Sequence, residues 1–264
     1  MTTLVIKIGG ALLHDESQLS AFFTVIAKLS GDHNCVLIHG GGDFAQDWLT
    51  KLGLTSTKIN GVRVTPKAHL PYVAGALAGY VNTRLCAVAK ANGVNPVGLN
   101  LGDGGICQVV EKSPELGAVA EVIPGRKALL TQLLANDYVP IVSSIATDNN
   151  GNLFNVNADD AAAGLAELLG SPLLLLSDVP GVLDQNKHVI QQLDANSIQY
   201  YIETGVIQGG MVVKVQAALN VAKRTGQPVI IASWKQPELL LSLDGAQAFG
   251  TTILSSATNS EEGV

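Results

Sequence analysis

The sequence predicts an α/β fold, with an open, mostly parallel central sheet sandwiched between layers of helices. Three observations carry that expectation. Glycine is abundant and aromatics are scarce, with 28 Gly against 5 Phe, 5 Tyr and 2 Trp in 264 residues. Short runs of Val, Ile and Leu alternate with stretches of helical spacing along the chain. Several of the apolar runs end in glycine-rich loops, where open α/β sheets bring backbone up to ligands.

Leu4–Ile8 reads as a strand, and Leu19, Phe22, Phe23, Ile26 and Leu29 follow at helical spacing. Cys35–Ile38 is a second strand and Phe44–Leu52 a short helix, so the chain opens as a right-handed βαβα unit. The mixed stretch Leu54–Thr65 surrounds Asn60-Gly61, a hairpin turn signal. Pro66 suits a first helical turn, and Ala68–Asn92 reads as a helix whose Gly75, Ala76, Ala78 and Gly79 permit close packing. Asn95–Leu101 is a strand, Ile106–Glu111 and Ala118–Ile123 suggest an antiparallel insert, Lys127–Ala135 is a helix and Tyr138–Ser143 a strand. Ala161–Leu169 forms a helix behind Asn157. Near Gly170-Ser171-Pro172 the alternation restarts. Leu173–Leu176 is a strand, Ala195–Glu203 and Met211–Arg224 are helices, and Val229–Ile231 and Thr251–Leu254 are strands. Two lobes sharing one sheet are expected, residues 1–170 and 171–254, with a frayed tail at 255–264.

Composition narrows the function. Hydrophobic residues make up 47% and charged residues 14%, with a mean hydropathy of +0.30, which is too apolar for a disordered chain. The longest apolar runs, such as Leu173–Ser177, fall far short of the ~18 residues a membrane span needs, so no membrane partner is expected. Met1–Lys7 lacks the basic and apolar regions of a signal peptide. Sixteen basic and twenty-two acidic residues give a net charge of −6, which argues against nucleic acid. Cys35, Cys86 and Cys107 are odd in number and widely spaced, which fits free thiols in a reducing cytoplasm rather than disulfides or zinc.

Five segments hold residues suited to chemistry. Lys7-Ile8-Gly9-Gly10 ends the first strand; consecutive glycines expose N–H groups to phosphate oxygens, and Lys7 adds a charge there. A plain βα turn would look similar. His39-Gly40-Gly41-Gly42 ends the second strand with more glycine than a turn needs, while His39 itself takes no catalytic role. Neither loop is a Walker A motif or a dinucleotide fingerprint. Asn155-Val156-Asn157-Ala158-Asp159-Asp160 opens a helix. Asn157 is a natural N-cap and both aspartates suit the dipole, with Asp159 free to orient lysines and Asn155 to face a ligand. Gly209-Gly210-Met211 leads a helix with Lys214 near its start, where the dipole disfavours a cation unless an anion compensates it. Arg63, after the Asn60-Gly61 turn, is either solvated or a bidentate carboxylate ligand.

In this order and spacing, these segments and Ser177-Asp178-Val179-Pro180-Gly181-Val182-Leu183 resemble the amino acid kinase family, and within it its acetylglutamate kinases, from about residue 4 to residue 254. The Gly61–Thr65 and Asn155–Asp159 segments direct the likeness to that branch. The resemblance implies the carbamate kinase-like fold, a cytoplasmic homodimer formed through the amino-terminal lobe, and ATP-dependent phosphorylation of the γ-carboxylate of N-acetyl-L-glutamate in arginine biosynthesis. The first strand lies almost at Met1, which implies the short, arginine-insensitive bacterial form. By position, Lys7 and Lys214 would neutralise the transferring phosphoryl group and Asp159 would orient both. Gly41, Gly42, Arg63 and Asn155 would bind the acyl substrate, with Gly9 and Gly10 donating to phosphate oxygens. Asp178, Val179, Pro180, Gly181, Val182 and Leu183, with Val206, Ile207 and Gln208, would border ATP. Mg²⁺ would arrive on the nucleotide, with no protein metal site. Gln208-Gly209 and Val213 depart from the usual pattern on the nucleotide side.

A γ-carboxylate with a pKa near ~4.3 is already ionised at pH 7, so such a reaction needs no general base. Its difficulty is bringing an anion to a polyanion, which lysines and N–H donors address. Three rivals share part of the pattern: a kinase of another amino-acid-derived carboxylate, a non-catalytic amino-acid sensor of the same fold, and a dinucleotide oxidoreductase. Lys7, Asp159 and Lys214 together disfavour the sensor, and the missing fingerprint disfavours the oxidoreductase.

Overall fold

The computed structural model describes residues 1–59, 61–243 and 249–255. The chain runs β1 (Thr2–Ile8), α1 (Glu16–Leu29), β2 (His33–His39), α2 (Gly42–Lys51), β3 (Lys58–Ile59), β4 (Val62–Arg63), α3 (Leu70–Ala74), a π-helical segment (Gly75–Val81) and α4 (Asn82–Ala91). It continues with β5 (Pro96–Asn100), β6 (Cys107–Glu111), β7 (Val119–Pro124), α5 (Ala128–Leu134), β8 (Val139–Ser143), β9 (Ile145–Thr147), β10 (Leu153–Val156) and α6 (Ala158–Leu169). β11 (Leu173–Ser177), β12 (Gln192–Leu193), α7 (Ala195–Glu203), α8 (Gly210–Thr225), β13 (Val229–Ser233) and β14 (Thr251–Ile253) complete it.

Among the described residues, eight strands form the main sheet in the order β12-β14-β13-β11-β1-β2-β8-β5. All neighbours are parallel except β13 and β14. The chain winds outward from β1 through β2 and later returns to β11 on its other side, so β1/β11 is the topological switch point. The strand ends at Gly9, Gly40, Ser144 and Asp178 therefore share one edge of the sheet.

Side-chain alternation builds two cores. Val5, Val36, Ile38, Leu173, Val229 and Ile231 pack with α6 and α8 on one face. Leu4, Ile6, Ile8, Cys35, Leu37 and Leu174 pack with α1 and α4 on the other. Lys7 lies in phase with Val5 and so faces the α6 side at the end of the strand.

Three parts differ from expectation. The insert expected to be antiparallel is a four-stranded mixed sheet, β6-β7-β10-β9, which adds β9 and β10 and pairs β10 parallel to β7. Those strands are only three and four residues long, and Asp148 turns the chain between them by accepting bonds from the N–H groups of Asn150 and Asn152. The helix expected from Ala68 starts at Leu70, because Thr65 N–H donates to Leu116 O and Thr65 O accepts from Ala118 N–H, which holds residue 65 extended. Its small-residue stretch Gly75–Val81 is π-helical, one extra residue per turn. The Asn157-capped helix begins at Ala158, not Ala161. Asn60 of the predicted turn and residues 256–264 of the predicted tail lie outside the described residues. The three cysteines are free; Cys35 and Cys107 are buried, which pushes both thiols up to about 12, while Cys86 is half-buried.

Candidate active site

Lys7 is the first functional side chain the sheet positions. Its Nζ lies 2.9 Å from Asp159 Oδ1. Asp159 stands in the first turn of α6, where Asn157 caps the helix by accepting from the N–H groups of Asp159 and Asp160. The carboxylate thus meets both the positive helix end and the lysine. Lys7 is largely covered and Asp159 largely exposed, so one side of the pair faces outward. Gly9 is extended, and a Cβ there would sit 3.4 Å from Lys7 Nζ, in the space beside the ammonium. Gly10 opens a 3₁₀ turn, Gly10–His14, whose first N–H groups have no partner within the turn.

The His39 loop is fixed from below. Nδ1 of His39 meets Gly40 O at 2.7 Å, and Nε2 meets Asn82 Nδ2 at 3.0 Å. Asn82 Nδ2 also donates to Ile141 O. The carbonyl accepts only and the amide donates, so the ring is the neutral Nδ1–H tautomer. Burial pushes its pKa down to about 4. His39 anchors the loop and leaves Gly41 and Gly42 for other work. Gly41 has φ +140°, and a Cβ there would approach Val81 to 3.1 Å; it caps α2, whose first N–H groups open toward the loop.

The histidine makes stability pH-dependent. The unfolded ring binds a proton near 6.5 and the folded ring only near 4. Stability is therefore full above 6.5 and falls as pH drops from 6.5 toward 4, by on the order of 3 kcal/mol. Urea unfolding at pH 7.5 and 4.5 checks this: the difference shrinks in His39→Asn, and an equal difference in both proteins refutes it.

A cavity of about 150 Å³ lies beside this loop, lined by Gly40–Gly42, Lys58, Gly61–Arg63, Ser144 and Asn155–Ala158, with Ala45, Val73 and Leu77 as its apolar wall. Arg63 is buried at 8% exposure. It donates to Gly42 O at 2.7 Å, to Gln46 Oε1 at 2.8 Å and to Ser56 Oγ. All three acceptors are neutral, and no described carboxylate pairs with it. Its pKa is lowered by burial, with Asp43 opposing. Asn155 is likewise buried and donates to Thr65 Oγ1 at 3.1 Å. The structure therefore brings Gly41, Gly42, Arg63 and Asn155 to one cavity, and the segment that lines its floor runs on directly into Asp159. Ser144 and Lys58 line it too. The sequence reading missed both; Ser144 follows directly on a strand of this sheet edge.

A second cavity, about 380 Å³, is lined by Val179, Gly181, Val182, Leu183, Gly205, Val206, Ile207, Gln208 and Met211. It gathers most of the expected nucleotide residues; Asp178 and Pro180 are on its loop but do not line it. Gly205 and Met211 are additions. Ser177, at the switch point, has a buried Oγ without a hydrogen-bond partner. α8 begins at Gly210, behind Gly209 at φ +56°, so Lys214 sits one turn in, beyond the strongest pull of the helix end. It shares a helix face with Met211. Among the described residues, Asp159 pairs with Lys7 and not with Lys214, so the expected double pairing is half present.

Two cavities on the carboxyl edge of a parallel sheet, one of them bordered by the segment that leads into the Lys7–Asp159 pair, suit transfer between two anionic ligands. A model of the amino acid kinase family matches residues 2–233. The chain belongs to this family. Among its relatives, the acetylglutamate kinase of Aeromonas salmonicida is 49% identical over 253 residues, 95% of this chain and 98% of that protein. Two solved structures share the fold of the family. N-acetylglutamate synthase from Neisseria gonorrhoeae, complexed with coenzyme A and N-acetyl-glutamate, matches with a TM-score of 0.82 at 24% identity, over 97% of this chain and 60% of that one. Carbamate kinase from Giardia lamblia matches with a TM-score of 0.68 at 18% identity, over 97% and 99%. The likeness drawn from the motifs holds along the matched span, and the α/β fold expected from composition is the fold of this family.

Proposed function

We propose that this chain transfers the γ-phosphoryl group of ATP to the γ-carboxylate of N-acetyl-L-glutamate, giving N-acetyl-L-glutamyl 5-phosphate and ADP. The observation that carries the reading is the buried Arg63, paired only with neutral acceptors, in a cavity that leads to the Lys7–Asp159 pair. The identity to acetylglutamate kinases over nearly the whole chain supports the same substrate.

In this reading Arg63 and Asn155 hold the α-carboxylate side of the acyl substrate, and Gly41 and Gly42 offer N–H groups to the γ-carboxylate. Val179–Leu183 and Val206–Gln208 border ATP, with Asp178 and Pro180 on the same loop. A carboxylate oxygen attacks the γ-phosphorus, and the bond from that phosphorus to the β,γ-bridging oxygen breaks as ADP leaves. Lys7 and Lys214 neutralise charge on the transferring group, Asp159 orients Lys7, and Gly9 and Gly10 donate to phosphate oxygens. Among the described residues no group of three His, Cys, Asp or Glu is placed to hold a metal. Mg²⁺ arriving with the nucleotide would supply further charge neutralisation.

The same reading makes residues 1–170 the acyl-substrate and dimerisation lobe and 171–254 the nucleotide lobe. β5, the end strand of the sheet, offers an open edge to a second copy. It also places the enzyme in the cytoplasm; no helix among the described residues is long and apolar enough to cross a membrane.

ADP release from Mg-ATP, run in parallel with N-acetylglutamate, glutamate, aspartate, carbamate and UMP, tests the proposal. Turnover with N-acetylglutamate alone is expected. Turnover with a different acid replaces the substrate and keeps the chemistry; silence across the panel from folded, nucleotide-binding protein overturns both.

A further inference from the structure

Lys58 has no role in the reading above, yet it lines the same cavity as Arg63. It stands on β3 directly opposite Arg63 on β4. Residues directly opposed across an antiparallel pair project to the same face with Cβ atoms roughly 5 Å apart, and like charges placed so are destabilising. The two-residue strands give this hairpin little ladder to offset such a repulsion. No described carboxylate answers Lys58: the ion pairs of the surrounding elements are Lys51–Asp47 and His14–Asp43, and neither includes Lys58 or Arg63. Two cations thus face one cavity in a chain of net charge −6.

Arg63 shows what is left to bind. Of its five N–H donors, two on Nη1 and one on Nη2 are taken by Ser56, Gln46 and Gly42. Nε–H and the second Nη2–H have no described partner. A single carboxylate fits that remainder, and its second oxygen is open to a further cation.

We propose that Lys58 is a second carboxylate-binding residue, a positioning cation that clamps the substrate α-carboxylate together with Arg63 and sets the preference for dianionic acyl substrates. The inference rests on the acyl-substrate reading given above. Lys58 is exposed, so its ammonium stays hydrated until substrate arrives, and an anion lying between the opposed charges would relieve their repulsion.

The test is steady-state kinetics of Lys58→Gln and Lys58→Arg with N-acetylglutamate and with its α-carboxamide analogue, alongside calorimetric binding of N-acetylglutamate. Lys58→Gln is expected to raise KM and Kd for N-acetylglutamate about tenfold, the loss of one charged contact. Its kcat and its KM for ATP stay within about twofold. Lys58→Arg restores most of the affinity. With the α-carboxamide the wild type and Lys58→Gln converge, because the group that Lys58 holds has lost its charge. Unchanged KM and Kd in Lys58→Gln, or the same tenfold penalty with the carboxamide, overturns the assignment while wild-type turnover leaves the activity standing. A wild type that neither binds nor turns over N-acetylglutamate overturns the activity and the Lys58 role with it.

Discussion

Lys7→Ala is expected to lower kcat by about 10²–10³-fold while leaving the protein folded. Loss of one preorganised charge at a transferring phosphoryl group typically removes ~3–4 kcal/mol of transition-state stabilisation. The lysine is fixed by its strand, by the phase that turns it toward α6 and by the 2.9 Å contact with Asp159, so little of its charge is spent on reorganisation. Lys214→Ala should produce a loss of the same order if the second lysine acts as proposed, since it stands one turn along α8 from Met211, which lines the second cavity. The Asp159 contact adds a sharper check. Asp159→Asn should lower kcat in the wild type and have a much smaller effect in the Lys7→Ala background, because the carboxylate acts through Lys7. Stopped-time ADP assays at saturating substrates measure the wild type and all four variants. Wild-type-like turnover in Lys7→Ala would remove the lysine from the mechanism.

Arg63→Ala is expected to raise KM for N-acetylglutamate by about 10²-fold with KM for ATP unchanged. A bidentate, charge-assisted contact in a desolvated site is worth roughly 3 kcal/mol. The arginine also ties the β3–β4 hairpin to α2 through Gln46 and Gly42, so its removal breaks charge-assisted hydrogen bonds that hold the hairpin in place. A stability loss of ~1–3 kcal/mol should accompany the kinetic change. Arg63→Lys separates the two effects: it keeps the charge and loses the fork, so its KM should fall between those of wild type and Arg63→Ala. If Arg63→Ala raised only the KM for ATP, the two cavities would have been assigned the wrong way round.

Much of this site was legible because its chemistry is local in sequence. Lys7 with Gly9-Gly10, the His39 loop and the Asn155–Asp159 segment each sit where a strand meets a turn or helix, and a parallel sheet gathers such ends at one edge without further information. Long apolar strands were found for the same reason: buried on both faces, they read as unbroken Val, Ile and Leu. What escaped depends on partners distant in the chain. β9 and β10 are too short to show a period, and β10 gains its place by pairing with β7. The π-helical segment looks like ordinary helix in sequence, since its small residues fit both forms. Lys58 reads as a solvated hairpin lysine until its register with Arg63 is known. The helix that carries Lys214 begins one residue earlier than its expected start at Met211, because Gly209, not Gly210, ends the loop.

The central position of β1 has a consequence for the order in which the molecule is assembled. β1 gains its first neighbour when residues 33–39 are available, but its other edge stays open until Leu173 and the residues after it can pair with Val5, Ile6 and Lys7. During synthesis the strand carrying the first lysine is made early and closed late. Such sequence-distant, parallel pairing slows folding and leaves a bare strand edge exposed in the meantime. Until that closure the switch point between β1 and β11 does not exist, so a nascent chain lacks the strand end that carries the second cavity until its last third has emerged.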